Sequence, residues 1–194
     1  MLKKIFTITI LFISTAFCRD LPEDLPDYTP LFALRSIFSG DILTIDPNPE
    51  DPTNLNWRIR EVRQLPKGLE NRDKLKDKLP PLGYIQFLRP YDSSLCLAIG
   101  EDGLFTQKGC DDDINSGKFE TVFSIIPTIT DAVQIRSLVN DSDECIGIFD
   151  NPHLQGGRAY GLLPCDFDPV FSISLRVLIA IAPPYLPSKV ITPK

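Results

Sequence analysis

Between residues 31 and 182 the chain alternates short apolar-polar runs with clusters of Gly, Asn, Asp and Pro at roughly ten-residue intervals, a spacing that predicts the strands and turns of a β-sandwich or barrel. Helical period appears in one place. Residues 66–80 set Leu69, Leu75 and Leu79 among charges and prolines, which predicts an inserted loop with about one helical turn.

The strand pattern is repeated three times. An opening phrase recurs as Ala33-Leu-Arg-Ser-Ile37, Ile85-Gln-Phe-Leu-Arg89 and Val133-Gln-Ile-Arg-Ser-Leu138. A second short strand follows each one: Asp41-Ile-Leu-Thr-Ile45, Leu95-Cys-Leu-Ala-Ile99 and Glu144-Cys-Ile-Gly-Ile148. The closing phrases read Asn56-Trp-Arg-Ile59, Val122-Phe-Ser-Ile125 and Val170-Phe-Ser-Ile173, so Trp57, Phe123 and Phe171 are expected to meet in one core. Three copies of a multi-stranded unit in an all-β chain predict a β-trefoil, whose closed barrel removes most aggregation-prone strand edges.

The ends differ from this body. Residues 1–18 read as an export signal: Lys3 and Lys4 precede an uncharged, largely apolar run, Ile5 to Phe17, that is too short to span a bilayer. Cleavage after Ala16 or after Cys18 fits the small-residue rule, and the preferred cut after Cys18 leaves Cys96, Cys110, Cys145 and Cys165, an even set suited to an oxidising compartment. A rival reading makes Cys18 a lipid-bearing first residue, but Phe17 is a poor fit to the small residue such sites want. Residues 19–30 carry acids and three prolines and predict an extended arm; residues 183–194 carry four prolines and predict a tail. The expected single trefoil domain is therefore 31–182, and the mature chain is expected to be secreted.

Charge and prolines narrow the picture. The full chain carries −6, and removing Lys3 and Lys4 makes it more acidic. Direct nucleic-acid binding, which needs clustered Lys and Arg, is not expected. Eighteen prolines argue against long helices.

The cysteines follow the repeat. Cys96 and Cys110 fall in the second copy, Cys145 and Cys165 in the third, and pairing within a copy closes short loops between neighbouring strands. The expected bridges are 96–110 and 145–165. No Cys-x-x-Cys occurs and His153, in a glycine-rich turn, is the single histidine, so neither a metal, a cofactor nor a catalytic residue is expected. Asp111-Asp-Asp-Ile-Asn-Ser-Gly117 superficially resembles a calcium loop, but its glycine comes one place late and Val122 stands where the twelfth-position acid belongs, which predicts a hydrated turn. Asn140-Asp-Ser142 matches the N-glycosylation triplet, a pattern too common to carry weight.

Leu79-Pro-Pro-Leu-Gly-Tyr84-Ile-Gln-Phe-Leu-Arg89 matches the leucine-tyrosine-arginine spacing proposed for cholesterol contact. In that reading Tyr84 packs on the sterol, Leu79, Leu82 and Phe87 enter the acyl boundary, and Arg89 stays at the headgroups. The bland alternative is the opening strand of the second copy.

Longer phrases carry a more specific signal: Leu-Gly-Tyr-Ile-Gln-Phe (82–87), Leu-Cys-Leu-Ala-Ile (95–99), Glu-Thr-Val-Phe-Ser-Ile (120–125), Ala-Val-Gln-Ile-Arg-Ser-Leu-Val (132–139), Ser-Asp-Glu-Cys-Ile (142–146), and Pro-Cys then Asp-Pro-Val-Phe at 164–171. On these the chain resembles the cytolethal distending toxins, and among their three components the lectin-like one designated C. The resemblance implies a ricin-B-type lectin-like trefoil, non-catalytic, in a heterotrimer with a DNase I-like nuclease and a second lectin-like subunit. It implies that Asp20, Leu21, Glu23, Asp24, Leu25, Asp27 and Tyr28 lie against the nuclease near its active site, where acids suit a site built to attract phosphates. It also implies that 181–194 docks on the second lectin-like subunit, and that the body meets host membrane, through cholesterol at Leu79–Arg89 or through glycan. One departure matters: ricin-type sugar sites pair an early aspartate with an aromatic and a Gln-x-Trp phrase, and no copy here has the full set. An autonomous secreted lectin and a Kunitz-type protease inhibitor, also a two-disulfide trefoil, are the alternatives.

Overall fold

The computed structural model describes residues 29–45, 52–63, 66–78, 83–140, 143–154, 156–167 and 173–185. Among these residues ten strands follow one another as β1 (Ala33–Ser36), β2 (Arg58–Glu61), β3 (Ile85–Leu88), β4 (Leu95–Ile99), β5 (Phe105–Gly109), β6 (Phe123–Pro127), β7 (Ala132–Ser137), β8 (Glu144–Asp150), β9 (Arg158–Pro164) and β10 (Ile179–Ala182). Helices α1 (Leu69–Arg72) and α2 (Cys110–Ser116) interrupt them. Every strand pair is antiparallel, and all ten strands belong to one curled sheet. The all-β expectation holds.

Registers repeat three times. Each closing strand begins against the opener of its own unit: Trp57 faces Phe32, Phe123 faces Ile85, and Ile179 faces Val133. Each then runs along the opener of the next unit: β2 on β3, β6 on β7, and β10 on β1. The path β1-β10-β7-β6-β3-β2 returns to its start through two backbone bonds, Trp57 N–H to Phe32 O at 2.8 Å and Phe32 N–H to Trp57 O at 3.1 Å. Arg35, Leu88 and Arg136 occupy a third equivalent slot, facing Ile42, Cys96 and Cys145.

This register assigns the core. Leu34, Phe87 and Ile135 become equivalent, as do Leu43, Leu97 and Ile146, and Trp57, Phe123 and Ile179; all nine are buried in one cluster. Phe87 sits at its centre, 5.4 Å from the Phe123 ring and 6.3 Å edge-on from Phe32. Burying each such side chain contributes about 1.5–3 kcal/mol.

Two expectations are corrected. The slot matching Trp57 and Phe123 is filled by Ile179, so the third unit closes with β10 rather than with 170–173; Phe171 itself lies outside the described residues. The Asp-rich run expected as a turn is helix α2. Asp111, Asp112 and Asp113 stand in its first turn, where negative charge suits the positive end of the helix dipole, and Gly117 ends it in the left-handed conformation at φ 71°. In the first unit, the expected second strand at 41–45 contributes only the Arg35–Ile42 bridge among the described residues.

The 66–78 insertion is anchored rather than loose. Leu69 of α1 is fully buried with Phe119, Val122 and Leu138. Arg72 donates to the carbonyls of Lys118 and Val139, each at 2.8 Å.

Candidate interaction site

The disulfides and two glutamines brace the second and third units in the same way. Cys96–Cys110 ties β4 to the start of α2, and Cys145–Cys165 ties β8 to the segment after β9. Gln86 and Gln134 hold equivalent places on β3 and β7. The Gln86 amide donates to the Cys110 carbonyl at 2.9 Å and to Thr121 Oγ1 at 2.7 Å. The Gln134 amide donates to the Asp166 carbonyl at 2.6 Å and accepts from the Asp166 N–H at 2.8 Å. Each glutamine thus pins backbone at or beside a bridged cysteine, so loop position is fixed by a covalent bond and a buried amide together. Ala33 takes this place in the first unit, which contains no cysteine.

Arg60 reaches from β2 over Gln86 Oε1 (Nε 3.1 Å, Nη2 2.5 Å) to Asp111 Oδ1 at 2.7 Å. A polar cleft lined in part by Arg60, Arg63, Lys67, Gln86 and Asp111 opens there.

A buried ion pair joins the insertion to the third unit. Arg136 Nη1 and Nη2 meet Asp73 Oδ1 and Oδ2 at 2.6 and 2.7 Å, and both side chains are almost wholly excluded from water. Asp73 also accepts from Leu75 N–H at 2.9 Å and from Tyr84 Oη at 2.8 Å. Burial alone would raise the Asp73 carboxyl, but the Arg136, Leu75 and Tyr84 hydrogen bonds outweigh it and hold the group below its ordinary value. Burial and the bond to Asp73 push the Tyr84 phenol up to about 12.

Those contacts decide how the segment with sterol-type spacing is presented. Tyr84 directs its hydroxyl inward to Asp73, Phe87 is fully buried in the core, and Arg89 is 3% exposed. In the folded chain neither Phe87 nor Arg89 offers a surface to lipid, because β3 is buried at all four positions between β2, β4 and β6. Leu79 and Leu82 lie outside the described residues, as do Asp20, Leu21, Glu23, Asp24, Leu25, Asp27 and Tyr28 of the arm.

The described ends of both arms meet the same stretch of chain, Asn56–Ile59. Thr29 N–H donates to Ile59 O at 3.3 Å, and Ile59 N–H donates to Thr29 Oγ1 at 2.8 Å. Asn56, fully buried, accepts from Tyr185 N–H at 2.7 Å and donates to Tyr185 O at 2.9 Å. A side-chain amide thus supplies the two bonds a strand partner would supply.

The Phe38 ring lies 4.4 Å from the Arg176 guanidinium and 6.0 Å from that of Arg158. Arg176 also pairs with Asp150 at 2.8 Å. His153 is exposed, and among the described residues no group of His, Cys, Asp and Glu is arranged to hold a metal. Sequence reasoning missed Asn56, Asp73 and Arg136, whose partners are distant along the chain.

The fold and its bracing define a disulfide-stapled β domain. The cytolethal distending toxin A/C domain matches residues 31–193, and the chain belongs to this family. The crystal structure of the cytolethal distending toxin from Actinobacillus actinomycetemcomitans contains a chain that aligns with TM-score 0.58 and 24% identity, covering 89% of this chain and 99% of that one. The Haemophilus ducreyi toxin structure contains another at TM-score 0.58 and 25% identity, with the same coverage. No curated protein matches the chain.

Proposed function

We propose that this chain is the C-type component of a secreted heterotrimeric genotoxin: a non-catalytic β-trefoil that attaches a DNase I-like nuclease subunit and a second lectin-like subunit to the host-cell membrane for delivery. The family match over residues 31–193 carries this reading. The threefold recurrence of strand register supports the trefoil, since each closing strand bridges its own opener and the next. Export through a cleavable signal at 1–18 accounts for both disulfides, which persist in oxidising compartments.

In this reading the arm at 19–30 engages the nuclease and the tail engages the lectin-like companion. The described ends of both, Thr29 and Tyr185, are bonded to one stretch of chain, Asn56–Ile59, so partners gripping them share one side of the body.

Co-purification with the nuclease and lectin-like partners tests the assignment. Deleting 19–28, which spares Thr29 and its two bonds to Ile59, is expected to weaken the complex or change nuclease inhibition while the melting temperature of the body stays put. Unchanged assembly and unchanged nuclease activity would sink the arm's role.

A further inference from the structure

Among the described residues Arg89 is a buried guanidinium without a carboxylate. It is 3% exposed, and among the described residues no acid lies within ion-pair distance of it. Its Nε and Nη2 both donate to one neutral oxygen, Tyr91 Oη, at 2.9 and 2.7 Å. Its Nη1 is buried with no acceptor among the described residues. Arg136 shows the contrast: equally buried, it meets both oxygens of Asp73. The matching places in the other two units hold Ser36 and Ser137, so the three-unit core has no packing need for an arginine here. A buried charge without a counter-charge is strongly unfavourable, and an unsatisfied buried donor calls for an explanation.

We propose that Arg89 is a gated site for a carboxylate supplied by a companion protein chain, with Tyr91 as the gate. The Nε–Nη2 edge of a guanidinium is the fork that takes two carboxylate oxygens in parallel. Here a single phenol oxygen occupies that fork. Tyr91 is 58% exposed on the bend between β3 and β4, so turning its side chain outward uncovers the fork without moving a strand. The Trp57 ring, 5.5 Å from the guanidinium carbon, backs the arginine as the gate opens. Arg, Tyr and Trp are the residues that dominate binding energy at protein interfaces.

Place selects the occupant. Trp57 adjoins Asn56, which clamps Tyr185, and pairs with Phe32 at the end of the N-terminal arm. A protein that grips both chain ends passes over Arg89. This choice of occupant rests on the toxin-subunit reading; the anion site does not.

Trp57 is the chain's single tryptophan, so its emission reports the site directly. The full chain is titrated with sodium acetate against sodium chloride at equal ionic strength. A saturable change with acetate and none with chloride is expected. In Tyr91→Phe, where the competing hydroxyl is gone, half-saturation moves to roughly tenfold lower acetate, and in Arg89→Lys the response disappears. A flat titration in both wild type and Tyr91→Phe overturns the site, as does a chloride response equal to that with acetate. The Tyr91→Phe comparison carries the test if Arg89→Lys does not fold. With purified nuclease and lectin-like partners, folded Arg89→Lys assembles at least about tenfold more weakly. Unchanged assembly, coupled with lost binding to vesicles bearing sialylated lipid, replaces the protein carboxylate with a glycan one. Wild-type chain that answers acetate but binds neither partner sinks the toxin-subunit reading and leaves the anion site standing.

Discussion

Asp73, Arg136 and Tyr84 form the most concentrated polar interaction in the core, and their response to substitution follows from burial. Asp73→Asn leaves the Arg136 charge without its counter-ion and is expected to cost about 3–5 kcal/mol in urea unfolding. Tyr84→Phe removes one hydrogen bond to a charged acceptor and should cost about 1.5–3 kcal/mol. Because the two share Asp73, a double-mutant cycle should show coupling rather than additivity. The pH dependence runs in two directions. Asp73 titrates lower in the folded chain, so its stabilisation is present above about pH 4 and is lost as pH falls through the folded value. Tyr84 titrates higher, so its stabilisation is present below the ordinary tyrosine value of about 10 and is lost as pH rises toward about 12. Thermal melts from neutral to strongly alkaline pH should therefore fall more steeply for wild type than for Tyr84→Phe; equal slopes would remove Tyr84 from the account. None of this was legible in the sequence, because Asp73 and Arg136 are 63 residues apart and Asp73 reads as one more acid in a charged insertion.

At the level of elements, the β8–β9 hairpin places Gly147 directly opposite Gly161. A Cβ on Gly147 would come within 2.7 Å of Leu163 Cδ1 and 3.0 Å of the Arg176 carbonyl, and one on Gly161 would run into the Phe149 ring. Gly147→Ala is expected to destabilise by about 1–3 kcal/mol through overpacking, measured by denaturant unfolding. Replacing Cys96 and Cys110 together by serine should cost about 3 kcal/mol on the loop-entropy account. Strands were readable from alternation, and cysteine pairs from their place in the repeat. Helix α2 was not, because an Asp-rich run suits a turn as well as the first turn of a helix; the decision came from the Cys110 bridge and from Asp113, which accepts from the Glu120 and Thr121 backbone N–H groups at 3.2 and 2.8 Å. The third closing strand was misplaced for a related reason. Val-Phe-Ser-Ile at 170–173 copies the wording of the second unit, while register depends on which segment can span β1 and β7 at once.

At the scale of the whole molecule, the described ends of the two arms are tied to the body by side-chain hydrogen bonds, linking Thr29 with Ile59 and Asn56 with Tyr185. Asn56→Ala deletes both bonds to Tyr185 and is expected to accelerate amide exchange at Tyr185, with exchange in β3 and β7 unchanged. Protection at Tyr185 equal to wild type would show that Asn56 is not the clamp. The polar site around Arg89 was invisible from sequence as an anion site, since Arg89 read as the last residue of a membrane pattern and only its burial and its stack on Trp57 reassigned it.

The pairing of β1 with β10 also has a consequence for biosynthesis. Ala33 lies opposite Ala182, so the earliest strand waits for the last one, which also fills the gap between β1 and β7. A ribosome that has released only the first two units has made a chain with two unsatisfied edges and an open core. Closure of the sheet is therefore dominated by long-range contacts, the regime in which all-β domains fold in milliseconds to seconds.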